Sequence, residues 1–208
     1  MSILSSPLPP APSPEPVFRL SVDQYHAMID AGVLTDDDPV ELLEGILVFK
    51  MPKKPARGLA VRKLTRAVEK LLPPGWFVLS QEPITLSTGE PEPDAAVVRG
   101  TDEDYAARHP GPPDVALVVE VADTTVERDR TIKLRSYAGA GIPLYLIINL
   151  VERAVEIYSD PQPASALYRA TKVVREGESF DVLLNAKSVG NLNVGDLLPD
   201  PQEDRRRR

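Results

Sequence analysis

Asp94, Glu120 and Lys133 are the residues of this 208-residue chain whose types and surroundings could do chemistry. Asp94 follows Pro93 and opens the apolar run Ala95-Ala96-Val97-Val98. Glu120 lies inside Val115-Ala116-Leu117-Val118-Val119-Glu120-Val121, which otherwise reads as a buried strand. Lys133 comes 13 residues later, in a segment with helical character. A carboxylate within an apolar strand is costly to bury unless a metal or a cation pairs with it. Two acids on neighbouring strands can hold one Mg²⁺ (or Mn²⁺), which needs few carboxylates because it keeps several waters. A lysine beside them can orient a water or offset developing charge, and together these are the parts of a phosphodiester-hydrolysing site. Taken singly, each residue has a plainer explanation. Asp94 suits a turn after proline, Glu120 could pair with a structural arginine, and Lys133 could form a surface i,i+4 pair with Asp129 worth about 0.3–0.5 kcal/mol. It is their order and spacing that suggest a site.

The elements that must position these side chains alternate along the chain. Ser21-Val22-Asp23-Gln24 is a capping box that opens a short helix, and Gly32 closes it. Val40-Glu41-Leu42-Leu43 and Ile46-Leu47-Val48-Phe49 flank Glu44-Gly45, which suggests a hairpin. Residues 56–72 place Ala60, Val61, Leu64, Val68, Leu71 and Leu72 on one helical stripe, ended by Pro73-Pro74-Gly75. Strands are expected at about 76–80, 83–86, 94–98 and 115–121. Within the last of these, alternation sets Val115, Leu117, Val119 and Val121 on one face, and Ala116, Val118 and Glu120 on the other. Thr124-Thr125-Val126-Glu127 is a second capping box, starting a helix to about Ala138. The apolar strand Leu144–Ile148 follows, and strand, helix, strand in that order implies two parallel neighbours. Further strands at about 154–158 and 167–174 suggest an antiparallel extension. The fold class expected is α/β, with a mixed central sheet.

Composition bounds the rest. There is no cysteine, which excludes disulfides, thiolate metal sites and a cysteine nucleophile. No apolar run approaches the roughly 18 residues that span a bilayer, and no signal-peptide pattern opens the chain. A cytoplasmic protein with no membrane partner is expected. Residues 1–17 and 200–208 read as disordered tails, the first rich in Pro and Ser and the second charged, around one domain at 18–199. The net charge of −7 disfavours a non-specific nucleic-acid coat. Yet Lys50 to Lys70 holds eight basic residues against the single acid Glu69. That segment is either a phosphate-binding surface or a solvated helix face.

The motifs resemble one family when they are taken together. Pro93-Asp94, Val118-Val119-Glu120-Val121-Ala122-Asp123, Asp129-Arg130, Lys133 and Tyr137-Ala138-Gly139-Ala140-Gly141-Ile142-Pro143 look like the Uma-two family of restriction-endonuclease-like proteins. So do Val40–Gly45, Gln81-Glu82-Pro83, Arg108-His109-Pro110 and Gly195–Pro199. The resemblance covers about 18–199 and implies the PD-(D/E)XK nuclease fold, a mixed central sheet flanked by helices. It implies that Asp94 is the first acid and Glu120 the second, both metal ligands, with Lys133 as the catalytic lysine and Glu41 as a further acidic position. The cofactor implied is Mg²⁺ or Mn²⁺ and the partner nucleic acid, with DNA expected. Lys53, Lys54 and Arg57 are then the expected nucleic-acid contacts. The chain departs from the pattern twice. Ala122 occupies the usual lysine position, two residues after the second acid, so Lys133 would be a migrated lysine. The family often carries a histidine before the second helix, where this chain reads Lys54-Pro55-Ala56-Arg57-Gly58. Arginine stays protonated and cannot replace a histidine as a base.

Two other function classes stay open at this stage. One is a non-catalytic nucleic-acid-binding or interaction protein on a nuclease scaffold. The other is an assembly module, a homodimer formed through exposed strands near 154–174.

Overall fold

The computed structural model describes residues 17–35, 37–52, 54–123 and 126–200. The expectations for residues 1–16, for Lys53, for the helix start at Thr124-Thr125 and for residues 201–208 lie outside them.

Ser21 caps helix α1 (Val22–Asp30) through the expected reciprocal bonds with Gln24. Strands β1 (Val40–Leu43) and β2 (Ile46–Phe49) form the expected hairpin. Its turn residues Glu44 and Gly45 both have positive φ, 48° and 77°, the backbone twist that suits a two-residue hairpin turn. A Cβ at Gly45 would also come within 2.9 Å of the Leu20 carbonyl oxygen, so both space and φ require glycine there. Helix α2 (Pro55–Glu69) begins with proline in its first turn and buries Ala60, Val61, Leu64 and Val68, a stripe at helical spacing. It ends before Leu71 and Leu72, a little short of the expected boundary.

The central sheet runs in the spatial order β3 (Trp76–Leu79), β4 (Ala95–Arg99), β5 (Val115–Ala122), β6 (Leu144–Asn149), β7 (Ala154–Gln162), β8 (Leu167–Arg175). Among these neighbours only β5 and β6 are parallel. A parallel pair needs a long connection, and helix supplies it here: α3 (Val126–Arg128), a π-turn (Asp129–Lys133) and α4 (Leu134–Gly139). Both faces of the sheet are covered. On one, Val97, Leu117, Val119 and Val121 pack with α2 and with the C-terminal hairpin β9 (Ser179–Leu184) and β10 (Lys187–Asn193), followed by α5 (Val194–Leu197). On the other, Ala96, Val98, Val118, Ala122 and Ile147 pack with Tyr137 and Ala138 of α4. This is the mixed α/β architecture expected. No described helix is long and apolar enough to cross a membrane.

Four expectations change. Residues 83–86 form no strand. The amides of Ile84, Thr85 and Leu86 donate to Pro91, Pro110 and Gly89 in turn, so no single ladder can form. The alternation along β5 breaks at its start, where the pairing with β4 shifts between Val97 and Val98. That irregularity exchanges the faces of Val115 and Ala116, which join opposite cores, and leaves Glu120 on its expected face. The crossover helix is not uniformly α, because the π-turn interrupts it. The β9–β10 hairpin was not expected, although Phe180, Val182 and Leu184 alternate as buried positions.

Candidate active site

The β4–β5 register pairs Ala95 with Val119, and one step further back it sets Asp94 opposite Glu120. Both side chains are buried. Asp94 Oδ2 accepts from the Val121 N–H at 2.8 Å, which pins the carboxylate against the strand that carries Glu120. The Arg57 guanidinium, from the first turn of α2, donates to the same oxygen through Nε at 3.1 Å and an Nη at 2.9 Å. That Nη also lies 4.0 Å from Glu120 Oε2. A positive charge therefore stands between the two acids. Gln81 Nε2 reaches Asp94 Oδ1 at 3.4 Å, from a backbone with φ of 58°. A non-glycine residue held in that region is a form of strain that clusters at functional sites.

Lys133 reaches in from the crossover helix. Its Nζ donates to Glu120 Oε1 at 2.7 Å and lies 3.5 Å from Glu41 Oε2. The Tyr137 hydroxyl donates to the same Glu120 oxygen at 2.9 Å. Asp129, Lys133 and Tyr137 are buried and spaced by four. On a helix of 3.6 residues per turn that spacing drifts around the axis. The wider turn over Asp129–Lys133 offsets part of the drift, and such turns recur at functional sites. Lys133 is thus no surface partner of Asp129. Ala122, the usual lysine position, is packed into the apolar core, and the ammonium comes from the opposite element instead.

Glu41, on β1, lies at the same point. It accepts from the Glu92 N–H at 3.1 Å and sits 3.4 Å from an Nη of Arg128. Lys54 lies elsewhere, paired with Asp123 at 2.8 Å. Arg57 is turned inward onto Asp94. Arg57 is thereby mostly withdrawn from solvent, whereas the Lys54 side chain stays exposed beside Asp123. Of that expected set, Lys53 lies outside the described residues.

Burial pushes the Glu120 carboxyl up to about 8, against the pull of the Lys133 ammonium, with Asp129, Asp94 and Glu41 adding to the rise. Burial alone would lower Lys133, but the carboxylates of Glu120, Glu41 and Asp129 outweigh it and hold the ammonium above its ordinary value. Lys133 is therefore a fixed cation at neutral pH rather than a base. Burial also raises the Tyr137 phenol, with Glu120 adding to the rise, so its hydroxyl stays a donor. The Glu120 shift has a consequence for stability. From its ordinary value of 4.5 to about 8, the unfolded chain releases a proton that the folded chain keeps. Stability should fall as pH rises through that window, by at most about 1.4 kcal/mol per pH unit from this group. Glu120→Gln should flatten the slope. Urea denaturation of both proteins at about pH 5 and about pH 8 measures it, and equal slopes would mean that Glu120 does not titrate there.

A profile of the Uma2 family, described as "Putative restriction endonuclease", matches residues 22–190. The chain belongs to the Uma2 family. The crystal structure of a "putative nuclease belonging to DUF820" from Anabaena variabilis has a TM-score of 0.61 and 17% identity to it, over 86% of this chain and 97% of that one. At that identity the likeness shows the fold, which is the restriction-endonuclease-like arrangement expected. No curated protein matches the chain.

This Uma2 protein also brings to the site side chains that sequence reasoning did not assign. Tyr137, Arg128 and Gln81 contact Glu120, Glu41 and Asp94 respectively. Tyr137 could have been found, since it continues the spacing of four from Lys133. Gln81 lies in the motif Gln81-Glu82-Pro83, but nothing in its spacing aimed it at Asp94, and Arg128, at the end of α3, left no such signal. At the segment where the resemblance led to the expectation of a histidine, the first turn of α2 supplies Arg57.

Proposed function

We propose that this Uma2 protein is a divalent-metal-dependent endonuclease that hydrolyses phosphodiester bonds in nucleic acid, with DNA as its substrate. One observation supports the reading: the β4–β5 register sets buried Asp94 opposite buried Glu120, Lys133 from the crossover helix donates to Glu120, and Arg57 reaches both acids.

The donor set suits a hard cation. Among the described residues no three His, Cys, Asp or Glu side chains are grouped so as to hold a metal alone. Mg²⁺ does not need three, since it is usually held by one or two carboxylates and completes its shell with water and phosphate oxygens. Asp94 and Glu120 supply two carboxylates, and the guanidinium between them marks the spot that both face. When bound, the cation lowers the pKa of water and neutralises charge on the phosphate. The chain's own residues do the rest. Val121 N–H and Gln81 orient Asp94. Lys133 and Tyr137 hold Glu120 by one oxygen. Lys133, fixed as a cation, offsets negative charge as it develops on the phosphate. Plasmid cleavage with Mg²⁺ or Mn²⁺ tests the assignment, comparing wild type with Asp94→Ala and Glu120→Ala. Equal cleavage by all three would sink it.

The outward face of α2 offers the contacts to substrate backbone. Arg62, Arg66 and Lys70 follow at intervals of four and are exposed. None of them makes an ion pair among the described residues, unlike Lys54 and Arg57. These three extend the expected phosphate-binding set of Lys53, Lys54 and Arg57. Changing them together to alanine should weaken DNA binding uniformly across sequences. It should also lower the slope of log affinity against log salt by about 2–3, near 0.9 for each phosphate left without its cation. Fluorescence anisotropy across a salt series measures this, and an unchanged slope would move the DNA track elsewhere. A homodimer is part of the proposal as well. β8 is an edge of the central sheet and exposes Leu167 and Val173, so a second copy could add there.

A further inference from the structure

The position of Arg57 leads beyond the proposed nuclease chemistry while resting on it. Arg57 donates twice to Asp94 Oδ2 and lies 4.0 Å from Glu120 Oε2. Its side chain is mostly buried, with 17% exposed. Nothing in the helix explains a cation at this place. The first turn of α2 holds no acid, and Lys54 at its cap makes no side-chain bond to it. Positive charge there runs against the helix dipole. The favourable contacts of Arg57 are with the two acids, and they are the contacts a divalent cation would take over.

We infer that Arg57 is a built-in competitor of the divalent cation: its guanidinium holds Asp94 and Glu120 together, and the ion binds only as Arg57 is displaced. Two positive charges cannot share so small a space without mutual repulsion, and Asp94 Oδ2 is already occupied by three donors. The competition keeps the acids paired at low metal concentration and sets the concentration at which the site becomes competent. The displaced guanidinium keeps its charge and would face a phosphate brought to the ion.

Calorimetric titration of the full chain with Mn²⁺ tests this by binding rather than by turnover. Arg57→Gln removes the charge and keeps a polar side chain of moderate length. It should bind Mn²⁺ about tenfold to a hundredfold more tightly than wild type, the scale on which a neighbouring unit charge acts. Arg57→Lys, which keeps the charge, should stay close to wild type. Equal or weaker binding by Arg57→Gln overturns the inference and leaves the nuclease reading standing. No binding by any of the three proteins overturns the metal site itself, and this inference with it. Should Arg57→Gln fail to fold, which a thermal melt without metal reports, wild type alone decides. Saturating Mg²⁺ should shift the Arg57 Nε–H resonance, assigned by its loss in Arg57→Lys. A resonance that stays in place at saturation overturns the inference.

Discussion

Replacing Lys133 by methionine is expected to lower metal-dependent cleavage by about 10²- to 10³-fold, the usual loss when one pre-organised charge-stabilising donor is removed. Methionine keeps most of the aliphatic bulk, so packing against the sheet should survive. The ammonium has no substitute close by. Arg57 lies 4.0 Å from the far oxygen of Glu120, and Arg128 contacts Glu41 rather than Glu120. The stability effect should depend on pH in a defined direction. Lys133 is the group that pulls the Glu120 carboxyl down towards about 8, so the variant lets it rise further. At neutral pH Glu120 then stays protonated and little is lost. Above about 8, wild type can ionise Glu120 against Lys133 but the variant cannot. The gap should widen there towards the about 3–5 kcal/mol of a broken buried pair. Denaturation at about pH 7 and about pH 9.5 reads the gap, and single-turnover cleavage at about pH 7 reads the chemistry. A variant that folds normally at neutral pH and cleaves like wild type would leave Lys133 a structural residue.

The acids should behave in the opposite way, with a large effect on chemistry and a small one on folding. Glu120→Gln copies the shape of the neutral acid that burial favours below about 8, and its side-chain oxygen can still accept from Lys133 and Tyr137. Asp94→Asn can still accept from the Val121 N–H and from Arg57. Neither change opens a cavity; Glu120→Gln should stay within about 1 kcal/mol of wild type near neutral pH, and Asp94→Asn should cost somewhat more because it leaves the mostly buried Arg57 without its counter-charge. Each, however, would remove half of the proposed two-carboxylate seat. Cleavage should fall by about 10³-fold or more, the loss of several kcal/mol of charge stabilisation. Glu41→Gln should cost less, because Glu41 is engaged by the Glu92 N–H and Arg128 and reaches Glu120 through Lys133. A Glu120→Gln protein that still cleaves would exclude that carboxylate as a metal ligand.

Much of this was legible in the sequence, for physical reasons. Apolar runs bounded by turns located β4, β5 and β6, and their order required the parallel pair. A carboxylate within such a run is visible because its burial is expensive, and so Glu120 stood out. Its partner Asp94 followed from strand pairing. Lys133 was legible as a helix residue, but its inward aim depends on a π-turn that no local pattern announces. The inward turn of Arg57 was not legible because charge in a sequence reads as surface, whereas here two acids on other elements draw it inward. Arg62, Arg66 and Lys70 show the same limit from the other side. Their helical spacing was readable, but only the fold shows which cations of the run are left unpaired. The C-terminal hairpin was overlooked although Phe180, Val182 and Leu184 alternate. Residues 83–86 misled in the opposite sense, since Ile84 and Leu86 are buried without a ladder.

Anomalous diffraction from crystals soaked with Mn²⁺ asks most directly whether Asp94 and Glu120 form one metal seat. One strong peak is expected, bonded to carboxylate oxygens of both residues, with Lys133 still on Glu120 and Arg57 moved off Asp94. A saturated soak with no peak there, or with manganese held only by other acids, would contradict the two-carboxylate site.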